Sequence, residues 1–556
     1  MKKLLCFLTV LALAFSTLGI AAYAQEDTCG FAVASDIHYV HPLENADDYI
    51  ISNKFGSNED GSAYQHESGF IVDEFLRQCE ENDSCDFILI PGDLATYGRE
   101  FIEDHLNLAQ KFRDFEEKTG KQVYVINGNH DNGAGANVDS AKFREIYYDF
   151  GYDKAFAVDE SCCSYAVNLN DEYALIALDS CDENYSLANG VDYKRIAWVR
   201  EQAKAITESG RHPILIMHHN LLEHMPLQLV TQDKYIVSFP RTYASIFADC
   251  GIKLVFTGHT HCTDAVSHTS PLGNVIYDFC TSSLPEYPLQ YRFFNLTDKE
   301  ISYEMKTVER IDTDALTSVV SGYTDEQISA MATDFPAYAG ENRKRVAINT
   351  IKHKLSAEGF GISEDSAFYN LINDACNSTD ELFSMPLYGK GGVRELAKEY
   401  NIDIPDSDYE TIWDIVGEVY LDFVAGNKNY DSESTEAAIV LKGAALALQS
   451  VTAKMTDKYL LSAANALIGG DAGIAENLAK VGSSVFGDVS PAEYFVLAVA
   501  SPAVNAFCSD TDGVDNVSGT IPGYEAQEDA ANIFDFVSDA LVQICRYIKS
   551  LIIKMI

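Results

Sequence analysis

Five short stretches hold the residues most able to do chemistry: Asp36-Ile37-His38, Gly92-Asp93, Gly128-Asn129-His130-Asp131, His218-His219 and Gly258-His259-Thr260-His261. Taken singly, each has a packing role open to it: Asp36 as a helix cap, Gly92-Asp93 as a turn, His218 as a buried, hydrogen-bonded ring. Packing does not explain the set, because each stretch directly follows a short apolar run, and functional loops gather at strand ends. Imidazoles, carboxylates and one amide, without thiolates, suit metals of intermediate character such as Fe, Mn, Zn or Co rather than a structural zinc. The Asp-x-His and His-x-His spacings predict pairs of side chains on one face of a locally extended backbone. Asp93 has two oxygens with which to bridge two ions. Two ions ~3.5–4 Å apart can polarise a phosphoryl oxygen, hold a bridging hydroxide and steady a leaving oxygen.

The runs that must position these residues are "FAVAS" from 31, "FILIP" from 87, "VYVIN" from 123, "YALIALD" from 173, "PILIM" from 213 and "IKLVFTG" from 252. Their length and composition predict buried strands. Helical patterns lie between them: "SGFIVDEFLRQCE", "REFIEDHLNLAQKFRDFEEKTG" and "YKRIAWVREQAKAITESG". The last two stop at Gly120 and Gly210, as helix ends do. This alternation from Gly30 to about Thr307 predicts an α/β or α+β layered domain.

In that order, the five motifs resemble the calcineurin-like metallophosphoesterase superfamily, in an exported, bacterial-type form, over about residues 30 to 305. The resemblance implies a four-layer α/β (α+β) sandwich, two mixed β-sheets flanked by helices. It implies two divalent or trivalent metal ions, one held by Asp36, His38 and His261, the other by Asn129, His218 and His259, with Asp93 between them. His219 is the alternative to His218. By the same resemblance His130 is not a ligand; it protonates the leaving oxygen, and Asp131 orients it. Tyr39, His41, Tyr97, Arg99, Asn220 and His224 are candidates to line a substrate pocket, although Asn220 stands where the family often has proline. His66 and His105 read as surface or packing residues. The implied activity is hydrolysis of phosphoric mono- or diesters by a metal-bridged hydroxide, with cyclic-nucleotide or other phosphodiesters favoured. The competing reading is a non-catalytic surface or scaffold protein that retains the fold.

At 556 residues the chain has room for more than one core, and its formal charge of −44 argues against a nucleic-acid polymer as a partner. A small phosphoester must then be captured by local cations. Residues 1–24 carry Lys2 and Lys3, an apolar run and Ala22-Tyr23-Ala24, the pattern of a cleaved secretory signal, which predicts a secreted or cell-surface protein. The predicted division is 25–309 for the catalytic domain, 310–530 for a mainly α-helical domain and 531–556 for an amphipathic helix able to touch a membrane surface. The helical part includes a capping box at Thr324 and Gln327, a long helix from Ser434, and a turn-rich linker at 509–523. All but His353 of the thirteen histidines lie before residue 270, so metal and acid-base chemistry is expected in the first domain. Twelve of thirteen cysteines remain once Cys6 leaves with the leader, which permits pairs such as Cys79 with Cys85, or Cys162 or Cys163 with Cys181.

Overall fold

The computed structural model describes residues 28–41, 63–181, 191–225, 228–297, 299–356, 369–431, 433–454 and 513–524, with isolated residues 358, 359, 364, 509 and 510. The expected leader, residues 1–24, and the expected amphipathic helix 531–556 lie outside the described residues. Thirteen described strands follow in chain order: β1 Cys29–Val33, β2 Phe87–Ile90, β3 Gln122–Val125, β4 Ala157–Val158, β5 Tyr165–Asn168, β6 Tyr173–Leu178, β7 His212–Met217, β8 Leu254–Thr257, β9 Asp264–Thr269, β10 Val275–Cys280, β11 Gln290–Leu296, β12 Glu300–Thr307 and β13 Ser518–Pro522. They form two mixed sheets, ordered β13-β12-β11-β1-β2-β3 and β4-β5-β6-β7-β8-β10-β9. Strands β1, β2 and β3 run parallel in the first sheet, and β6, β7, β8 and β10 in the second.

All six apolar runs are strands, and their unbroken hydrophobicity has a physical cause. In β7, Ile214 and Ile216 face the core between the sheets, while Leu215 and Met217 face a second core under helices Tyr193–Glu208 and Pro240–Ala248. Leu254 and Phe256 of β8 alternate with Val255 in the same way. A parallel strand covered on both faces has no solvent side to mark with polar residues. Aromatic rings join the layers: Phe31 of β1 lies edge-on to Phe256 at 5.6 Å, and Phe294 of β11 to Phe279 of β10 at 5.0 Å. Helices Ser68–Glu81 and Ile102–Thr119 supply Phe75, Leu108 and Phe112 to the core on the other side. The second of them ends on Gly120 in the left-handed conformation, φ 75°, and Gly210 has φ 85°.

Helices Thr313–Val319, Asp325–Thr333, Phe335–Lys354, Tyr369–Phe383, Val393–Glu399, Ile412–Val424 and Thr435–Lys454 make up the later region. The capping box at Thr324 and Gln327 is formed. This region has its own core around Phe383, Ile412, Trp413 and Leu446. Its packing does not divide at residue 310, because Leu316, Met331, Phe335 and Ala339 belong to the core of the sandwich. Nor is 509–523 only a linker: Ser518–Pro522 is the outermost strand of the first sheet, with Ile301 opposite Ile521. "SGTIP" offers one apolar residue and turn-forming neighbours, so the partner strand rather than local preference makes it β. Among the described residues every cysteine is a free thiol, and the Cys79 and Cys85 side chains touch without forming a disulfide. No described helix is long and apolar enough to cross a membrane.

Candidate metal centre

The five motifs meet where the C-terminal ends of β1, β2 and β3 face those of β7 and β8. Backbone bonds fasten neighbouring strand ends: Asp36 N–H donates to Gly92 O at 3.1 Å, His38 N–H to Asp93 O at 2.9 Å, and Gly258 N–H to His218 O at 3.0 Å. Across the sheets, His259 N–H donates to both oxygens of Asp36 at 3.0 and 3.1 Å. The extended backbone expected at the Asp-x-His and His-x-His spacings is not what brings the side chains together. Asp36, His38, Asp93, His259 and His261 all have left-handed φ between 45° and 68°. Such conformations cost roughly 1–3 kcal/mol each for non-glycine residues and persist where the surroundings over-determine them, most often at functional sites. One consequence is that His259 and His261, two residues apart, point into different groups.

Asp36, His38 and His261 form one group, and Asp93, His218 and His259 the other, with the ligating atoms of each group within 4.8 Å of one another. In the first, His261 Nε2 lies 3.3 Å from Asp36 Oδ1 and 3.2 Å from His38 Nε2. In the second, His218 Nε2 lies 3.0 Å from Asn129 Oδ1, 3.0 Å from His259 Nδ1 and 3.2 Å from Asp93 Oδ2. Asp93 Oδ2 is also 3.8 Å from His38 Nε2, so one carboxylate oxygen reaches both groups. His218 rather than His219 takes part: the His219 ring turns away, with Nδ1 on the Ser180 hydroxyl at 2.9 Å.

Hydrogen bonds on the far side of two rings show that these groups fit metal ions. A carbonyl only accepts, so the contact of His218 Nδ1 with Pro91 O at 3.2 Å assigns the proton to Nδ1. Nε2 then presents a lone pair to the oxygens Asn129 Oδ1 and Asp93 Oδ2, beside His259 Nδ1. A proton on Nε2 could serve one of the two oxygens, whereas a cation serves both together with the nitrogen. His261 repeats the pattern, with Nδ1 donating to Glu286 Oε1 at 3.2 Å and Nε2 turned to Asp36 and His38. An imidazole braced in this way by a carboxylate or carbonyl is the usual outer support of a metal ligand.

The electrostatics agree. Burial disfavours charge on both Asp36 and Asp93, yet the facing imidazoles, His261 for the first and His218 for the second, hold both carboxyls below their ordinary values. Burial also opposes a charged His218 ring, but Asp93 lifts it to about 9, while burial drops His38 to about 4 and His219 to about 3. Buried carboxylates thus demand positive charge, which protons or metal ions can meet.

His130 stands apart, exposed at the rim, with its ring 5.0 Å from that of His38. Its Nδ1 donates to Thr96 O at 2.9 Å, which leaves Nε2 out of that bond. The expectation that Asp131 orients this ring is not met. Asp131 is fully buried and accepts from Ala95 N–H at 3.0 Å and Gly128 N–H at 2.7 Å, bracing the loops on either side of the site. Burial, and then the charge of Asp93, push its carboxyl up to about 7. A carboxylate on the residue next to an imidazole cannot both fold under the loop and reach over it.

Of the suggested pocket residues, Tyr97 and Arg99 are half-buried beside His130, and Arg99 N–H donates to His130 O at 3.2 Å. Tyr39, Asn220 and His224 are buried. Asn220 instead donates to Thr257 Oγ1 and Gly258 O, both at 3.1 Å, and His41 is paired with Asp104. His105 is a packing residue, bonded to Tyr147 and to the carbonyl of Asp131. The sequence reading missed Glu286, the Thr96 and Pro91 carbonyls, and Tyr235, which stacks on His259 at 4.3 Å. Backbone carbonyls leave no mark in a residue pattern, and Glu286 follows no apolar run.

The family model for calcineurin-like phosphoesterases matches residues 30–263. Residues 30–263 are a calcineurin-like phosphoesterase domain. No curated protein matches the chain in sequence. Similar solved structures include a dimetal phosphatase from Danio rerio, 9% identical with a TM-score of 0.36, covering 50% of this chain and 97% of that one. Another is a 5'-nucleotidase from Candida albicans, 11% identical with a TM-score of 0.28, covering 57% of each chain. The domain is that of a metal-dependent phosphoric ester hydrolase, and it carries two groups of residues that could each hold a metal ion.

Proposed function

We propose that this chain is an exported phosphodiesterase that uses His130 as its general acid. The observation that carries the reading is the separation of roles at one loop: Asn129 turns its amide oxygen into the second ligand group, while His130 stands outside both groups with Nδ1 committed to Thr96. Asp36, His38, Asp93 and His261 would hold one ion, and Asp93, Asn129, His218 and His259 the other. Bound there, the ions supply Lewis acidity toward the phosphoryl group and the attacking water. The chain's own residues do the rest. The Thr96 carbonyl fixes the His130 ring so that Nε2 delivers its proton to the departing oxygen. Tyr235 covers the ring of His259, and Asp131 keeps the loops at their spacing. A diester carries one negative charge where a monoester carries two, and an acidic surface penalises each added charge, which supports the diester. The leader at 1–24 supports export, and thus an extracellular nucleotide, phospholipid head group or cell-wall phosphate as substrate.

The test is a side-by-side assay of metal-loaded protein on bis(p-nitrophenyl) phosphate, p-nitrophenyl phosphate, cyclic nucleotides and choline phospholipids. The expected result is a higher kcat/KM for diesters than for the monoester. The loss on His130→Ala should be larger for alkoxide leaving groups than for p-nitrophenolate, which leaves without a proton. Turnover of the monoester above all diesters would overturn the diester reading, and equal His130→Ala losses for both leaving groups would overturn the acid role.

A further inference from the structure

The helix Phe335–Lys354 lies outside the matched family region, yet it reaches the metal centre. Its buried face carries Phe335, Ala339, Gly340, Val346 and Ala347, and Arg343 falls on the same face, four residues from Ala339. Phe335 packs edge-on against Tyr64 at 5.0 Å, and Tyr64 N–H donates to Pro285 O at 2.8 Å, one residue before Glu286. A Cβ at Gly340 would stand 3.1 Å from the Tyr287 ring, so glycine lets the helix lie close to this loop. At the point of contact, Arg343 Nη1 donates to Glu286 Oε2, and the other oxygen of Glu286 accepts from His261 Nδ1.

We propose that Arg343 is a positioning residue of the metal centre: through Glu286 it fixes the His261 ring, so that the helical region completes the first ligand group. The inference rests on the reading of that group as a metal site. His261 needs such a support more than its neighbours do. Its side chain is 24% exposed, against 7% for His38 and none for His218, so packing alone does not set its rotation. Glu286, with only 7% of its side chain exposed, requires a counter-charge to remain a carboxylate there, and Arg343 supplies it at 13% exposure. The guanidinium is held from its other side by the Tyr420 ring, 5.6 Å away, on the helix Ile412–Val424. Guanidinium, carboxylate and imidazole thus form a chain from one helix to another region's ligand.

The experiment is equilibrium titration of the metal-free full-length protein with Mn²⁺ and Zn²⁺, with bound metal counted by mass spectrometry. Arg343→Met should keep one tight equivalent and weaken the other ~10–100-fold, the usual effect of losing a ligand's outer partner. Arg343→Lys, which restores the charge, should recover most of that loss. Lys344→Met is the control, because Lys344 pairs with Glu418 at 2.7 Å on the same helix without touching the centre, and it should bind both equivalents as the parent does. If Arg343→Met does not fold, Glu286→Met/Arg343→Met, which leaves no unpaired charge, carries the same expectation. Unchanged binding in the Arg343 variants, weakening of both equivalents alike, or an equal effect of Lys344→Met would overturn the inference while leaving the metal-centre reading intact. A parent protein that binds no metal would overturn both.

Discussion

Gly92 shows how closely the backbone of one motif is fitted to the ligands of another. A Cβ added there would stand 2.8 Å from His218 Nδ1, 2.9 Å from His218 Cβ and 2.9 Å from the backbone nitrogen of Gly128. Ordinary contact begins at 3.4 Å, so the ring must retreat by 3.4 − 2.8 = 0.6 Å, since the Gly128 backbone is tied into the opposite loop. That retreat stretches the 3.2 Å bond from His218 Nδ1 to Pro91 O past useful length and moves Nε2 relative to three other donors. The φ of 107° adds strain of its own. Strain of ~1–3 kcal/mol, overpacking of ~1–3 kcal/mol and a lost hydrogen bond of ~1 kcal/mol predict that Gly92→Ala destabilises the domain by ~3–7 kcal/mol. At ~2–4 °C per kcal/mol, the melting temperature should fall by ~6–28 °C. Metal titration of the folded variant should show one weakened equivalent. Gly120→Ala separates strain from collision, because Gly120 shares the left-handed backbone, φ 75°, but has nothing within 4 Å of the added carbon. It should cost ~1 kcal/mol and leave metal binding alone. Equal melting temperatures for the two variants, with two tight equivalents in each, would refute the argument that Gly92 exists to make room for His218.

His130→Ala should retain both metal equivalents and lose ~10²–10⁴-fold in kcat, because an acid is removed and no ligand is; a collapse in metal content would make His130 a ligand after all. Asp93→Ala should do the opposite and weaken both equivalents, since one oxygen serves both groups, and unchanged stoichiometry would remove its bridging role. His224 is buried between Asp264 Oδ2 at 2.8 Å and Asp278 Oδ2 at 3.2 Å. Burial opposes its charge, but these carboxylates raise its pKa to about 10. Its stabilising contribution is therefore complete below the unfolded value of ~6.5 and disappears as pH rises toward the folded one. His224→Gln should cost ~3–5 kcal/mol in urea denaturation at pH 6 and progressively less toward pH 10; a deficit that grows with pH would show that the ring is neutral in the fold.

The candidate ligands were legible because metal chemistry needs particular side chains, and the chain places them at the ends of five recognisable strands. Strands covered on both faces are apolar throughout, as β7 and β8 are, and that composition can be read without a structure. β12 and β13 were not legible in this way, because "EISYEMKT" and "SGTIP" become strands only when β11 and β12 offer them hydrogen bonds. Asp131 and Asn220 sit beside site residues in the chain, and proximity made them candidates for catalysis and the pocket. In the fold one braces backbone amides and the other ties Thr257 to Gly258.

Sequence by itself determined the donor set, the ordered motifs and the alternation of strand and helix, since these follow from residue type and spacing. Only tertiary structure decided which donors share a group. Left-handed backbone at five of the seven candidate ligands sends His259 and His261 to different partners. Only tertiary structure, too, brings Glu286 and Arg343 to His261, because a hydrogen bond depends on distance in space, and a separation of 57 residues along the chain carries no trace of it.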